Sequence, residues 1–314
     1  MKVIEHINRA QAPLFSFEII PPPRGKSAQE IIDIVKMLQP YQPPYIDVTS
    51  HSAEATYEER PDGTIKRRIR KKRPGTISIC GIIQNRFKID TVAHLLCRGF
   101  SQEETEDALI ELNYLGIENV LAVRGDETNY KKPLSKDRSI NFYTSDLVTQ
   151  VDKMNRGQYL EELLNAEPTN FCIGVGGYPE KHFEAPNLKT DVEHLKTKVN
   201  VGAEYVVTQM FFNNMVYFDF VDRCRAAGIE VPIIPGIKVL NQLSQLKNIP
   251  RNFHVDLPDE LVDEIRENPS HIKDIGFEWA YQQCAELLNR GIKNLHFYIM
   301  NDASVITRII DRLN

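Results

Sequence analysis

One apolar strand-like run of the chain contains a carboxylate: Leu14 to Ile20 reads L-F-S-F-E-I-I and stops at Pro21, Pro22 and Pro23. On a period-two strand Phe15, Phe17 and Ile19 share one face and Ser16 and Glu18 the other, so Glu18 needs either a partner or a chemical task. Desolvation at such a place raises a carboxyl pKa, as a general acid requires. A second grouping, Arg124-Gly125-Asp126, follows the apolar Leu121-Ala122-Val123. Its glycine lets the backbone turn sharply or approach a flat ligand, and its arginine can hold a phosphate or the neighbouring aspartate. A structural ion pair would use the same residues, but a strand-end position favours the functional reading. In Thr208-Gln209-Met210-Phe211-Phe212 a side-chain amide, both donor and acceptor, stands beside apolar bulk. That suits a heterocycle edge, and it equally suits a glutamine that satisfies a loop above core phenylalanines. In Gly174-Val175-Gly176-Gly177-Tyr178-Pro179-Glu180-Lys181-His182, Tyr178 can stack on an aromatic ring or simply pack, and His182 divides evenly between ligand contact and surface. No G-x-G-x-x-G opens a helix anywhere, which argues against a Rossmann site.

Positioning these groups falls to short β-rich runs at residues 14–20, 45–49, 91–97, 118–123, 171–176, 204–209, 231–237 and 294–299. Helical patterns lie between them, at 27–39, 101–115, 145–155, 188–201, 214–227, 258–290 in pieces and 302–313. This alternation predicts an α/β fold, a single (β/α)8 TIM-type barrel occupying 1–314. Residues 76–87 fit either period; helix is preferred because a strand would add a ninth. Residues 127–141 read as a long polar loop after the fourth strand, on the face where barrels place their active sites. At that face Glu18, Thr49, His94, Arg124-Gly125-Asp126, Tyr178, His182 and Gln209 converge.

With 42% hydrophobic and 26% charged residues and a net charge of −5, nothing points to nucleic acid or an anionic membrane as partner. Lys66, Arg67, Arg68, Arg70, Lys71, Lys72 and Arg73 form a basic run, read here as a solvated surface loop. Five dispersed cysteines without a C-x-x-C pair indicate neither disulfides nor a metal site, and suggest a reducing compartment. No run approaches the length of a membrane span and no leader pattern opens the chain, so a cytoplasmic protein is expected.

The motifs F-S-F-E-I-I-P-P (15–22), L-A-V-R-G-D (121–126), G-Y-P-E-K-H (177–182), T-Q-M-F-F (208–212), P-G-I (235–237) and H-F-Y (296–298) together resemble the methylenetetrahydrofolate reductase family, in order and over nearly the whole chain. The resemblance implies a barrel that binds FAD non-covalently at its mouth. It also implies a two-stage, ping-pong reaction in which NADH or NADPH reduces the flavin, after which 5,10-methylenetetrahydrofolate becomes 5-methyltetrahydrofolate, a methyl source for methionine synthesis. Glu18 then matches the general acid that protonates folate nitrogen 10. Asp126 matches the aspartate near the flavin that also contacts the pterin. Gln209 matches a folate or nicotinamide contact and Gln245 a second folate contact. Thr49, Ser50, His94, Arg124, Gly125, Asp126, Thr144, Tyr178, His182, Asp191, His194 and Lys198 would line the FAD site, Lys198 and Arg124 as phosphate partners. A homo-oligomer is expected.

Three features depart from the family pattern. Thr49 is followed by Ser50-His51 where the family often has tyrosine, and Met300-Asn301-Asp302 lacks an arginine common after the last strand, so that another basic group would hold the folate tail. The chain also ends just after the eighth helix, and no C-terminal regulatory domain is expected. Two other classes fit parts of the pattern: a flavin-free barrel transferring a methyl group from a pterin, and a non-catalytic folate-binding or assembly subunit. A bound flavin separates them from a reductase.

Overall fold

The computed structural model describes residues 1–126, 130–133, 135–136, 138–300 and 302–313. Among these, β1 (Leu14–Ile19) and β2 (Tyr45–Val48) belong to a closed barrel, and β3 (Ala53–Glu59) and β4 (Ile65–Lys71) form a separate antiparallel hairpin. The barrel is completed by β5 (Asp90–Leu96), β6 (Asn119–Val123), β7 (Cys172–Gly177), β8 (Tyr205–Met210), β9 (Ile233–Ile237) and β10 (Asn294–Met300). These eight strands are parallel, and β10 pairs with β1 to close the ring. The architecture is the expected (β/α)8 barrel.

Helices cover the outside because each carries one apolar stripe. Helix Thr144–Asn155 buries Leu147, Val148, Val151 and Met154. Its neighbour Leu188–Asn200 buries Val192 and Leu195 and starts at Asn187, whose side chain accepts from the Thr190 amide. Helix Gln102–Tyr114 starts in a capping box, Ser101 with Glu104. Residues 76–87 are helical, as helix Thr76–Ile82 followed by a π-turn Ile83–Phe87.

Inside the barrel the lower end is apolar. Val3, Tyr45, Val92, Leu121, Cys172, Tyr205, Val207 and Ile234 pack as one buried cluster, separate from the core under the helices. The N-terminal helix Val3–Arg9 closes that end: the Val3 amide donates to Asn119 Oδ1 (2.8 Å), and the Met1 ammonium and His6 Nε2 each lie 2.8 Å from a carboxylate oxygen of Asp90. Asn119 and Asp90 are the first residues of β6 and β5, so the plug sits opposite the catalytic end. Gly174 is required where the Tyr205 ring crosses the interior, because a Cβ there would lie 2.3 Å from that ring.

Four expectations need correction or completion. Residues 66–71 of the basic run lie in the strand β4 rather than in a loop; Arg67, Arg68, Arg70 and Lys72 are exposed as expected and Lys66, Lys71 and Arg73 half-buried, but with Ile65 and Ile69 exposed too, no apolar-polar alternation marks it. Its pairing is visible in the register Tyr57↔Arg67 and Glu58↔Lys66, with Arg68 bridging Glu58 at 2.8 Å. Helices Val3–Arg9 and Gln245–Phe253 were not foreseen, being seven and nine residues long. Of the 127–141 loop, residues 127–129, 134 and 137 lie outside the described residues; the rest form neither helix nor strand. Among the described residues no helix is long and apolar enough to cross a membrane.

Candidate active site

At the carboxyl ends of the strands, Glu18 is the penultimate residue of β1, with its side chain 14% exposed. Burial pushes its pKa up to about 7; His94 and Lys238 pull it down, and Asp47 pushes it further up. A carboxyl in that range is about half protonated near neutrality, the state a general acid needs. Asp47, on β2, is fully buried, and desolvation lifts its carboxyl to about 7 as well, against the pull of His296. His94 Nε2 lies 3.4 Å from Asp47 Oδ1 and 3.7 Å from Glu18 Oε2. Burial holds the His94 imidazole below its usual range, so it is neutral in this setting. One strand further round, His296 Nδ1 meets Ser16 Oγ at 2.9 Å and lies 3.9 Å from Asp47 Oδ2.

Facing this group, Lys238 follows β9 and donates from Nζ to the Tyr298 carbonyl (2.9 Å), while the Tyr298 hydroxyl donates to the Thr208 carbonyl (2.6 Å). Burial lowers the Lys238 pKa to about 8, with Glu18 acting against the shift. Asp47 and Lys238 were not singled out from sequence, and His296 and Tyr298 appeared only within the H-F-Y motif, without a role. The signal that exposed Glu18, a charged residue alternating into an apolar strand, was present for Asp47 in Y-I-D-V and for His296 in N-L-H-F.

The second half of the mouth is cationic and aromatic. Arg124 pairs with Glu184, which also takes Arg98 at 3.0 Å, and the Arg124 guanidinium lies over the Tyr143 ring at 5.3 Å. Gly125 has φ +84°, a conformation that favours glycine and that lets the chain turn between Arg124 and the exposed Asp126. Lys198 reaches in from helix Leu188–Asn200 to donate to the Gly176 carbonyl at 2.8 Å; burial lowers its pKa to about 8 against the attraction of Asp191. Asp191, buried on the same helix, accepts from the His182 amide (2.8 Å), and the His182 ring packs edge-on against Tyr178 at 4.7 Å. Thr144 begins helix Thr144–Asn155 beside Cys97. Ser50 and His94 line a cavity of about 240 Å³ that extends from the mouth towards Phe100 and Glu111.

The structure therefore brings together Glu18, Thr49, Ser50, His94, Arg124, Gly125, Asp126, Thr144, Tyr178, His182, Asp191, Lys198 and Gln209. It treats two residues differently. His194 is exposed on its helix, and Gln245 uses its amide oxygen to accept from the backbone amides of Asn241 (2.7 Å) and Gln242 (2.9 Å), holding its own loop. Gln209 accepts from the neighbouring Met210 amide through Oε1 (2.9 Å) and lines a small pocket with Tyr178. Asn301, where the family arginine is missing, lies outside the described residues.

Several polar atoms at the mouth are buried without a partner: Thr49 Oγ1, His51 Nδ1, His94 Nε2 and Arg124 Nε. Such groups cost free energy unless a ligand satisfies them. With a buried ammonium, two guanidinium groups already sharing a carboxylate, and an aromatic edge, the donor set fits a planar ring system carrying a diphosphate.

Comparison with known proteins agrees with this geometry. The profile of the methylenetetrahydrofolate reductase family matches residues 2–314. The 5,10-methylenetetrahydrofolate reductase of Escherichia coli K12 is 30% identical over 294 residues, covering 92% of this chain and 87% of that protein. Methylenetetrahydrofolate reductase 1 of Schizosaccharomyces pombe is 31% identical over 306 residues, 95% of this chain and 45% of the yeast protein. The chain thus spans about half the length of the fungal and plant relatives it matches. Among solved structures, a Clostridium thermocellum protein described as binding two copies of 5-methyl-5,6,7,8-tetrahydrofolic acid superposes with TM-score 0.60 over 99% of this chain and 97% of its own. At 13% identity that likeness is one of fold.

Proposed function

The chain belongs to the methylenetetrahydrofolate reductase family, and from that premise we propose that it is an FAD-dependent reductase converting 5,10-methylenetetrahydrofolate to 5-methyltetrahydrofolate at the expense of NADH or NADPH. The observation that carries the reading is a carboxyl poised near neutrality, Glu18, standing in the same strand-end mouth as a cationic, aromatic cradle.

Thr49, His94, Arg124, Tyr178, His182 and Lys198 are the residues that would hold the flavin, with Lys198 and Arg124 on its phosphates. A flavin held there would supply the hydride chemistry that links nicotinamide to folate in separate stages. Glu18 donates its proton to folate nitrogen 10. That opens the five-membered ring and leaves an iminium carbon able to take a hydride, so one proton and one hydride enter for each methyl formed. Asp126, exposed at the turn after β6, would face the pterin, where its negative charge would favour the cationic iminium. Gln209 keeps its amide N–H donors available for the pterin or the nicotinamide in turn. Five buried free cysteines accord with a reducing, cytoplasmic setting, and the product would serve methionine synthesis in a homo-oligomeric enzyme.

An anaerobic absorbance experiment tests the reading. Protein loaded with FAD should bleach on addition of NADH and regain its flavin band on addition of methylenetetrahydrofolate. Protein that takes up no FAD would be better described as a flavin-free pterin methyl carrier, and protein whose bleached flavin is not restored by the folate would be a flavin enzyme with another substrate.

A further inference from the structure

We infer that Asp47 is a positioning residue for the proton on Glu18: the two carboxyls, with the His94 imidazole between them, hold a proton in common at the top of the barrel interior and keep Glu18 in its acid form. The inference rests on Glu18 being the proton donor and adds a second carboxyl to its environment.

Geometry carries it. Glu18 and Asp47 are register partners on the adjacent strands β1 and β2, so both carboxyls project towards the barrel axis at one level. A single nitrogen, His94 Nε2, approaches both, at 3.7 and 3.4 Å. Asp47 has no exposed surface, and neither of its carboxylate oxygens has a hydrogen-bond partner; His94 Nε2 has none either. An aspartate buried for structural reasons is normally satisfied by several donors, whereas a fixed charge here would stand almost unpaired. Retaining a proton relieves that cost.

The remaining groups facing Asp47 do not supply it with a compensating cation. From β10, His296 is tied to Ser16 and burial holds its imidazole below the usual range. Tyr45 on β2, Tyr205 on β8 and Tyr298 on β10 face Asp47 as hydroxyls that burial keeps protonated, as does the Cys80 thiol behind β2. Lys238, after β9, faces Glu18 and draws it towards the carboxylate. Asp47 opposes that pull, so the two neighbours set Glu18 from opposite sides. When Glu18 has given its proton to folate nitrogen 10, it is recharged from solvent at the mouth, to which its side chain is partly open.

The test is Asp47→Asn, which keeps the shape and removes the charge. In FAD-loaded protein the folate-dependent and nicotinamide-dependent single-turnover rates are followed separately against pH. The expected result is that the pH at which the folate step falls moves down by about one unit, with the nicotinamide step unchanged at every pH. A uniform loss in both steps, or an unmoved midpoint, would overturn the inference, since a merely structural aspartate produces no shift. Should the variant fail to fold, infrared pH-difference spectra of Glu18→Gln decide: one carboxyl band titrating near neutrality supports a proton on Asp47, and its absence refutes it. Wild-type protein whose flavin the folate never reoxidises would instead sink the reductase reading and leave the infrared result standing.

Discussion

The lower and upper halves of the barrel interior are lined by the same eight strands, yet they are packed on opposite terms. Below, Val3, Val92, Cys172 and Ile234 interlock without charge, and the N-terminal helix closes the end with a satisfied amide and two contacts to Asp90. Above, Glu18, Asp47, His94 and His296 bring four titratable groups together, and Asp47, His94 and His296 each keep a buried polar atom without a partner. The lower half contributes stability. The upper half gives some of it up so that protons and ligands have somewhere to bind.

The sharpest way to separate the two halves is to damage the lower one. Ile234→Ala removes three carbons from a side chain that is 1% exposed, and should cost about 2–5 kcal/mol of unfolding free energy in a denaturant titration. The folate and nicotinamide steps per folded molecule should stay within about twofold of wild type. A large catalytic loss at full stability would show that the division between the halves is wrong.

A smaller effect comes from the upper half's own electrostatics. The Glu18 and Asp47 carboxyls are raised from ordinary values of 4.5 and 3.8 to about 7. Because the folded state holds these protons more tightly, their contribution is complete below the ordinary values and is lost as pH rises through about 7. His94 and His296, held below 6.5, act in the other sense, their contribution fading as pH falls. Comparing wild type with Asp47→Asn isolates the carboxyl: between about pH 4 and pH 7.5 the wild-type melting temperature should fall relative to the variant by roughly 5 °C. Parallel melting curves would mean that Asp47 carries no extra proton.

The same contrast explains what the sequence revealed. All eight barrel strands were legible, most to within a residue or two at each end, because strands buried on both faces read as compact apolar runs and the helices between them carry clear stripes. The β3–β4 hairpin was not, since most of β4 is solvated and Ile65 and Ile69 sit exposed among cations with no period to read. Glu18 announced itself as a charge inside such a run. Asp47 obeyed the same rule but stood in a shorter run, His296 was read only as part of the H-F-Y motif, and only the closing of β10 onto β1 brings His296 beside Asp47. Lys238 could not be placed at all before the loop after β9 was seen to lean over Glu18. Gln245, which the resemblance implies as a folate contact, uses its amide oxygen to hold its own loop, a role that no sequence pattern announced.

The most direct test of the whole account is Glu18→Gln, loaded with FAD and assayed one half-reaction at a time under anaerobic conditions. The account predicts that the flavin band bleaches with NADH at close to the wild-type rate, while its recovery with methylenetetrahydrofolate slows by about a hundredfold or more, since only the second stage needs the proton. Full recovery at the wild-type rate would remove Glu18 from the chemistry, and loss of both stages together would make it a structural residue.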